Sequence, residues 1–556
     1  MLNVPATADL WWKNAIIYCL DVQTFADSDG DGIGDFGGLT QHVDDLAGLG
    51  VTCIWLMPFY PTADRDDGYD ITDHYAIDPR LGTFGDFTEF MAVARDRGLR
   101  VIADLVVNHT SDQHAWFRES RKGRDSRFRD WYVWQDEIPT DGPTGVVFPG
   151  EQSGVWTFDT DSSQYYLHRF YHHQPDLNIA SDAVRDEIAK VIGFWLAQGL
   201  SGFRVDAVPF LLELDGIDGA VRLDPHQYLR DLRAFIQRRN GDAILLGEVN
   251  LPFEEQRRFF GDEDGDELSM LFDFIGMQAT HLAMARSDAR PIVRALRQRP
   301  AIPHDAAFAS FLRNHDELTL DKLTKSERDE VFAAFGPDPD MQLYARGLRR
   351  RLPTMLGGDQ QWLRMAYSLM FAMPGAPTLF YGEEIGMGEN LAIEGRMAVR
   401  TPMQWTSGPA AGFTTAPASA ACRPFPDGDF GPEAVNVAAQ RTDANSLLNW
   451  FERLIRLRKS VPEIGWGEYR VLDVGNDAVL VLQHRWDDRT TITVHNLASK
   501  AAKISIPLEV ESAILRDRLG STPPITAKNG AGAVNVSAHG YHWLGVEPVS
   551  CGPPKR

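Results

Sequence analysis

Cysteine is scarce in this chain, with four in 556 residues: Cys19, Cys53, Cys422 and Cys551. Four thiols so scattered exclude a disulfide scaffold. Cys19 and Cys53 fall in apolar, strand-like runs where a thiol acts as a small hydrophobe, and all four read as reduced. Basic residues are outnumbered, 55 Lys and Arg against 78 Asp and Glu, which leaves a net charge of -23. Non-specific nucleic-acid binding is supplied by clustered Lys and Arg neutralising phosphates, so the balance argues against nucleic acid and for a neutral or cationic small ligand. No run of about 18 apolar residues occurs, and a membrane-spanning helix needs one. The opening MLNVPATADLWWKN has neither the basic nor the apolar stretch of a secretion signal, so a cytoplasmic protein with no membrane partner is expected. Internal repeats are lacking too, and nothing here separates a monomer from a homodimer.

What is present is ordinary globular composition, 44% hydrophobic and 24% charged, on a chain long enough for several domains. Eight short apolar runs alternate with segments of helical period: AIIYCL, VTCIWLMP, LRVIADLVVN, GFRVDAV, AILLGEV, MLFDF, FASFLRN and PTLFYGEE. Between them, Val184, Ile188, Val191, Ile192 and Trp195 form one stripe of a predicted helix from Asp182 to Leu200. Runs apolar on both faces, joined by helices, predict an α/β fold, a parallel (β/α)₈ TIM barrel. After the third strand about seventy residues rich in Trp, Asp and Gly intervene, too long for a plain loop, and read as an inserted subdomain over the barrel mouth. The barrel is thus expected over 1–108 and 179–463, with the insert at 109–178. A second irregular span, about 384–445, is expected to line the same mouth. From about 464 to 556 short alternating strands predict an antiparallel β-sandwich.

Barrels of this kind place reacting groups at the C-terminal ends of their strands. Four such ends carry ionisable residues: Asp104, Asn108 and His109 in DLVVNH, Arg204 and Asp206 in GFRVDAV, Glu248 in LLGEVN, His315 and Asp316 in FLRNHDE. Arg204 and Asp206 are two apart on a strand and share a face, so the cation should keep Asp206 ionised, lowering its pKa by about 1 to 3 units. Glu248 has no such partner in sequence and is expected to hold its proton in a drier setting. One charged and one protonated carboxyl is what glycosidic cleavage requires. A lone strand-end acid is more often a loop anchor, but four such ends in this order point to a site. A metal-dependent hydrolase would need closely grouped ligands, which His109 and His114 do not offer. A non-catalytic relative would be expected to have lost some of the carboxylates.

The stretch DSDGDGIGDFGG raises the question of an ion. Asp27, Asp29 and Asp31 alternate as hard oxygen ligands should, Gly32 allows a sharp turn, and Asp35 adds another carboxyl. An EF-hand loop closes with Glu at its twelfth place, and here that place is Gly38.

The four strand-end stretches resemble the signature regions of the α-amylase superfamily, glycoside hydrolase family 13, from about Trp11 to the end of the chain. DDGYDI, HQPDLN, FLRNHDELTL and VRTPMQW look like its trehalose synthase and oligo-1,6-glucosidase branch. GFRVDAVPFL, FLRNHDELTLDKLT and RRRLPTMLGGD are most similar to trehalose synthases. The resemblance implies that Asp206 is a nucleophile forming a covalent glucosyl-enzyme, Glu248 the acid and then the base, and Asp316 a ligand of sugar hydroxyls near the scissile bond. His109 and His315 would bind ring hydroxyls, Arg204 would orient Asp206, and Tyr69 would lie beneath the ring. Asp66 would pair with Arg400 to close the pocket behind a terminal glucose. It further implies one structural cation on Asp27, Asp29, Asp31, the Ile33 carbonyl and Asp35, with Ca²⁺ favoured over Mg²⁺, and no organic cofactor. The expected activity is retaining transfer on short α-glucosides, maltose and trehalose interconverting with some hydrolysis; the alternative is an α-glucosidase releasing terminal glucose.

Overall fold

The computed structural model describes residues 10–140, 145–213, 224–261, 265–520 and 522–549. Cys551 lies outside them, and Cys19, Cys53 and Cys422 are free thiols, the first two buried.

All eight expected strands form, and they close a parallel barrel. We label them β1 (Ile17–Leu20), β2 (Cys53–Leu56), β3 (Arg100–Leu105), β4 (Gly202–Val205), β5 (Ile244–Gly247), β6 (Met270–Phe272), β7 (Ala307–Ser310) and β8 (Ala376–Phe380). Each pairs with its neighbours in chain order, and β8 closes on β1 through Ile17 against Thr378. Their side chains are buried almost throughout, which is why they read as continuous apolar runs. The helix at Asp182–Ala197 buries the predicted stripe, Val184, Ile188, Val191, Ile192 and Trp195. Trp195 is fully buried, stacks on Phe84 at 5.8 Å and donates to the His74 carbonyl at 2.8 Å. Burying a side chain of this kind contributes roughly 1.5 to 3 kcal/mol, and its N–H is satisfied.

The chain leaves the barrel after β3 and returns where the Leu177 amide donates to the Asn108 carbonyl. Between them three short strands, Trp134–Gln135, Trp156–Asp159 and Gln164–Leu167, form a small antiparallel sheet. Asp176 pins its return, accepting from Asn108 Nδ2 and the Arg169 amide.

Beyond the helix Leu447–Lys459 eight antiparallel strands follow: β9 (Glu468–Val471), β10 (Val479–Trp486), β11 (Arg489–Asn496), β12 (Ala502–Pro507), β13 (Ser512–Asp517), β14 (Ile525–Lys528), β15 (Ala531–Val536) and β16 (Tyr541–Pro548). They hydrogen-bond as one continuous sheet, β9-β10-β11-β16-β13-β14-β15-β12, rather than as two separate layers. Strand twist curls so long a sheet until Val481 and Ile492 at one end meet Ile504 and Val534 at the other in one core. Alternation explains how this module joins the barrel. Val479 and Val481 face the module's own core, whereas Leu480, Leu482 and Trp543 belong to the barrel's. Trp543 Nε1 donates to Ser368 Oγ at 2.9 Å across that seam. Among the described residues no helix is long and apolar enough to cross a membrane.

Candidate active site

The acids at the strand ends are organised by one cation. Arg204, on β4, is buried, and its Nη1 donates to Asp104 Oδ1 and to Asp206 Oδ1, both at 2.5 Å. Its Nη2 donates to Glu248 Oε2 at 2.6 Å. All three carboxyls thus sit on one guanidinium fork, a rigid planar donor that fixes their relative position. Asp104 is locked in turn by Trp55 Nε1 at 2.9 Å. Just past β4 the chain turns at Ala207, which takes a left-handed conformation at φ 49° and donates its amide to Glu248 Oε2 at 3.1 Å. At the end of β5, a Cβ on Gly247 would lie 2.4 Å from Leu268 Cδ1, so a larger residue there would displace the Leu268 side chain.

Two expectations about charge change here. Burial raises Asp206 to about 6, and Arg204 only partly offsets it, so the guanidinium does not lower this carboxyl on balance. Glu248 does have a partner, Arg204 itself. Burial still lifts it to about 7, helped by the charges of Asp206 and Asp316 and opposed by Arg204. Burial thus raises both carboxyls above their ordinary range, with Arg204 opposing it at each.

Asp316 follows β7. Arg396 Nη1 donates to its Oδ1 at 2.8 Å, Arg400 Nη2 to the same oxygen at 3.2 Å, and His315 Nε2 lies 3.1 Å from Oδ2. Burial works to raise it, but His315 and the two guanidiniums outweigh this and hold it well below the usual carboxylate range. Tyr69 OH meets His315 Nε2 at 2.7 Å with the rings stacked at 5.5 Å. His109 holds the same turn through its Nε2, 3.0 Å from the Tyr69 carbonyl. Burial depresses both imidazoles, His315 to about 4 and His109 to about 3, so at neutral pH they are uncharged.

A cavity of about 350 Å³ lies at this mouth, and Asp66, Tyr69, His109, Asp206, Glu248, Asp316 and Arg396 all line it. That volume is at the small end for ligand pockets. Arg204, His315 and Arg400 stand behind the wall and act through the residues in front of them. His315 contacts Tyr69 and Asp316 on the cavity wall directly.

The expected pairing of Asp66 with Arg400 does not form. Arg396 Nη2 donates to Asp66 Oδ1, while Arg400 Nη1 donates to Asp67 Oδ2. The reason is local: Asp67 takes φ 53° in the turn before Gly68, which swings its carboxylate away from that of Asp66 toward Arg400 and Arg423. Gln174 Nε2 completes Asp66 at 2.8 Å. Arg396 was missed in the sequence, although it stands four residues before Arg400 in a loop facing two adjacent aspartates. Phe148, Phe170 and Phe210 on the cavity wall, and Arg346, which pairs with Glu317, were missed as well. Single aromatics far from the strand ends carried no signal.

In the loop after β1, Asp27, Asp29 and Asp35 each offer an oxygen within 4.8 Å of the others. Asp31 is not part of that group; its Oδ1 accepts the Ile33 amide at 2.7 Å. Asp35 caps the helix Phe36–Gln41 through Gly38 N at 2.7 Å, the position where an EF-hand would carry its Glu. Gly32, at φ 96°, leaves no room for a Cβ, which would lie 1.9 Å from the Ala420 carbonyl oxygen. Three hard carboxylate donors on a fixed turn suit a hard divalent cation.

The family model described as alpha amylase, catalytic domain, matches residues 19–333 and 349–467. The chain is 40% identical over 543 residues to the trehalose synthase of Thermus thermophilus, covering 97% of this chain and 56% of that one, so it spans little more than half of that relative. It is 38% identical over 567 residues to the trehalose synthase/amylase of Mycobacterium tuberculosis, covering 98% and 93%. The solved alpha-amylase of H. orenii superposes with a TM-score of 0.77 at 26% identity, covering 96% of this chain and all of that one.

Proposed function

The chain belongs to the alpha-amylase family, and from that premise we propose that it is a retaining transglucosidase that interconverts maltose and trehalose with some hydrolysis. The observation that carries this reading is the shared fork of Arg204, which holds Asp206 and Glu248 in one cavity with Asp316. In the proposed course Asp206 attacks the anomeric carbon and forms a glucosyl ester, while Glu248, a quarter exposed to the cavity, protonates the leaving oxygen. The released glucose stays, turns, and attacks the ester through another hydroxyl as Glu248 takes its proton. The α configuration is retained because two inversions occur. Asp316 and His109 bind ring hydroxyls, Tyr69 supplies a face for the sugar, and Arg396 bridges Asp66 to Asp316 behind it. The relatives named trehalose synthase support this outcome over simple hydrolysis.

The test is proton NMR from the first minutes of separate incubations with maltose, trehalose, sucrose and isomaltose. Maltose should give trehalose, and trehalose maltose, with glucose a minor product. Glucose alone from each would overturn transfer and leave an α-glucosidase.

The loop after β1 is proposed to hold one structural cation on Asp27, Asp29, Asp35 and the Ile33 carbonyl, with Asp31 turning in when it binds. Ca²⁺ is favoured, since Mg²⁺ demands a stricter octahedral shell. An ion at a hundredfold excess over its Kd adds about 2.7 kcal/mol to stability. Chelation should therefore lower Tm, Ca²⁺ should restore it, and Asp29→Ala should remove the dependence. Identical melting with and without chelator would end the proposal. The free thiols of Cys19, Cys53 and Cys422 support a reducing, cytoplasmic setting; recovery in a secreted fraction would contradict it.

A further inference from the structure

A second cavity, of about 920 Å³, lies between the barrel's outer helices and the C-terminal sheet. None of its lining residues lines the substrate cavity. The helix Gln360–Ala372 contributes Arg364, the helix Leu447–Lys459 contributes Trp450, Arg453 and Arg456, and the C-terminal module contributes Arg518, in the turn after β13, and Tyr541, on β16. Among the described residues no carboxylate lines it. In a chain of net charge -23, four guanidiniums from three elements converging on one cavity run against the average field.

Their own bonds leave them short of negative charge. Arg364 donates from Nη2 to the Asn445 carbonyl, and its Nε is buried without a partner. Arg453 donates to the Ala444 carbonyl at 3.0 Å. Arg518 Nη1 lies 3.5 Å from Glu463, the one carboxylate within ion-pair reach of the four among the described residues. Arg453 and Arg456 are three apart on one helix, where like charges repel and cost stability. The helix C-terminus accounts for Arg456 through its dipole, but not for the other three. Trp450 and Tyr541 meet edge to face at 6.0 Å and give the same cavity an apolar wall.

We propose that this cavity binds a small organic phosphate, its phosphate oxygens held by Arg364, Arg453, Arg456 and Arg518 and its ring portion against Trp450 and Tyr541. Guanidiniums match phosphate oxygens in pairs, and donors from several directions suit an anion with three or more free oxygens. The volume falls within the usual range for small-ligand pockets, and the aromatic wall would be wasted on a bare ion. A ligand seated there touches both barrel helices and the sheet, so it also ties the C-terminal module down.

The experiment is calorimetric titration of the full chain with inorganic phosphate, pyrophosphate and phenyl phosphate at constant ionic strength, each paired with a melting curve. Phenyl phosphate and pyrophosphate should bind saturably and raise Tm, phosphate alone more weakly. Arg453→Glu with Arg456→Glu removes two exposed cations and should weaken both ligands at least tenfold, with turnover of an aryl α-glucoside unchanged. Arg456→Gln is the milder variant if the double change unfolds the chain, and it should weaken both ligands in the same direction. The proposal fails if no probe binds saturably, or if the folded variants bind as the unaltered chain does. Binding of heparin without binding of the small phosphates would also overturn it, in favour of a polyanionic partner.

Discussion

An Asp206→Asn enzyme is expected to be folded and inert. The substitution keeps the shape of the side chain and a carbonyl oxygen for Arg204, so Tm should move little. Chemistry should fall by about four orders of magnitude or more, the scale seen when a covalent nucleophile is removed from a site that acts as a unit. The loss should appear in kcat, with binding of maltose retained, because the cavity wall is otherwise intact. Glu248→Gln offers the contrast that identifies the roles. It removes the proton donor but not the nucleophile, so cleavage of maltose should collapse while an aryl α-glucoside with an acidic phenol, which leaves unprotonated, should still glucosylate Asp206. Deglucosylation then lacks its base. Mass spectrometry should find the chain heavier by one anhydroglucose unit, on Asp206. Near-full activity of Asp206→Asn, or a label on another residue, would remove this assignment and with it the proposed course of reaction.

The barrel was legible because each strand is a short apolar run separated from the next by helical or irregular segments, and a strand buried on both faces leaves no other pattern. The strand-end acids were legible for the same reason, since a carboxyl closing such a run has the barrel mouth as its surroundings. What could not be read was direction and burial. Asp66 and Asp67 are adjacent in sequence, and only the positive φ of Asp67 decides that one meets Arg396 and the other Arg400. Arg204 and Glu248 are 44 residues apart, and their bond exists because β4 and β5 are neighbours in the barrel. The net shift of Asp206 depends on how completely the mouth excludes water, which no two-residue spacing encodes. The C-terminal module reads as an antiparallel β-sandwich, and alternating strands look alike whether its facing layers are two sheets or one sheet curled on itself. The pairing of β16 with β13 joins its two halves into one curled sheet.

Arg396 makes the other large prediction, because it is the piece that the sequence pattern overlooked and the geometry puts behind the sugar. It donates to Asp66 and to Asp316, and its guanidinium lies over the Phe148 ring at 4.9 Å, so one side chain joins the inserted subdomain to the loops after β2 and β7. Truncation to Ala leaves two largely buried carboxyls facing each other without their shared cation. Breaking a buried pair in this way costs about 3 to 5 kcal/mol, and the protein can escape part of that only by protonating a carboxyl. Asp316, held low by His315, Arg396 and Arg400, loses one of these three and moves upward. Asp206, at about 6, sets the acid limb of kcat/KM in the unaltered enzyme, so the limb moves to higher pH once the released Asp316 carboxyl titrates above it. At pH 7 kcat/KM should fall about 10²- to 10³-fold, roughly 3 to 4 kcal/mol of transition-state stabilisation. The freed space admits water beside the glucosyl ester, so the glucose formed per trehalose should rise. Arg396→Lys separates charge from shape. One ammonium restores a positive charge but cannot fork across both acids, so the acid limb should return most of the way while the product ratio does not. A truncated enzyme with an unmoved pH profile and an unchanged product ratio would reduce Arg396 to a structural tie and leave the closure of the pocket to Asp66 and Gln174.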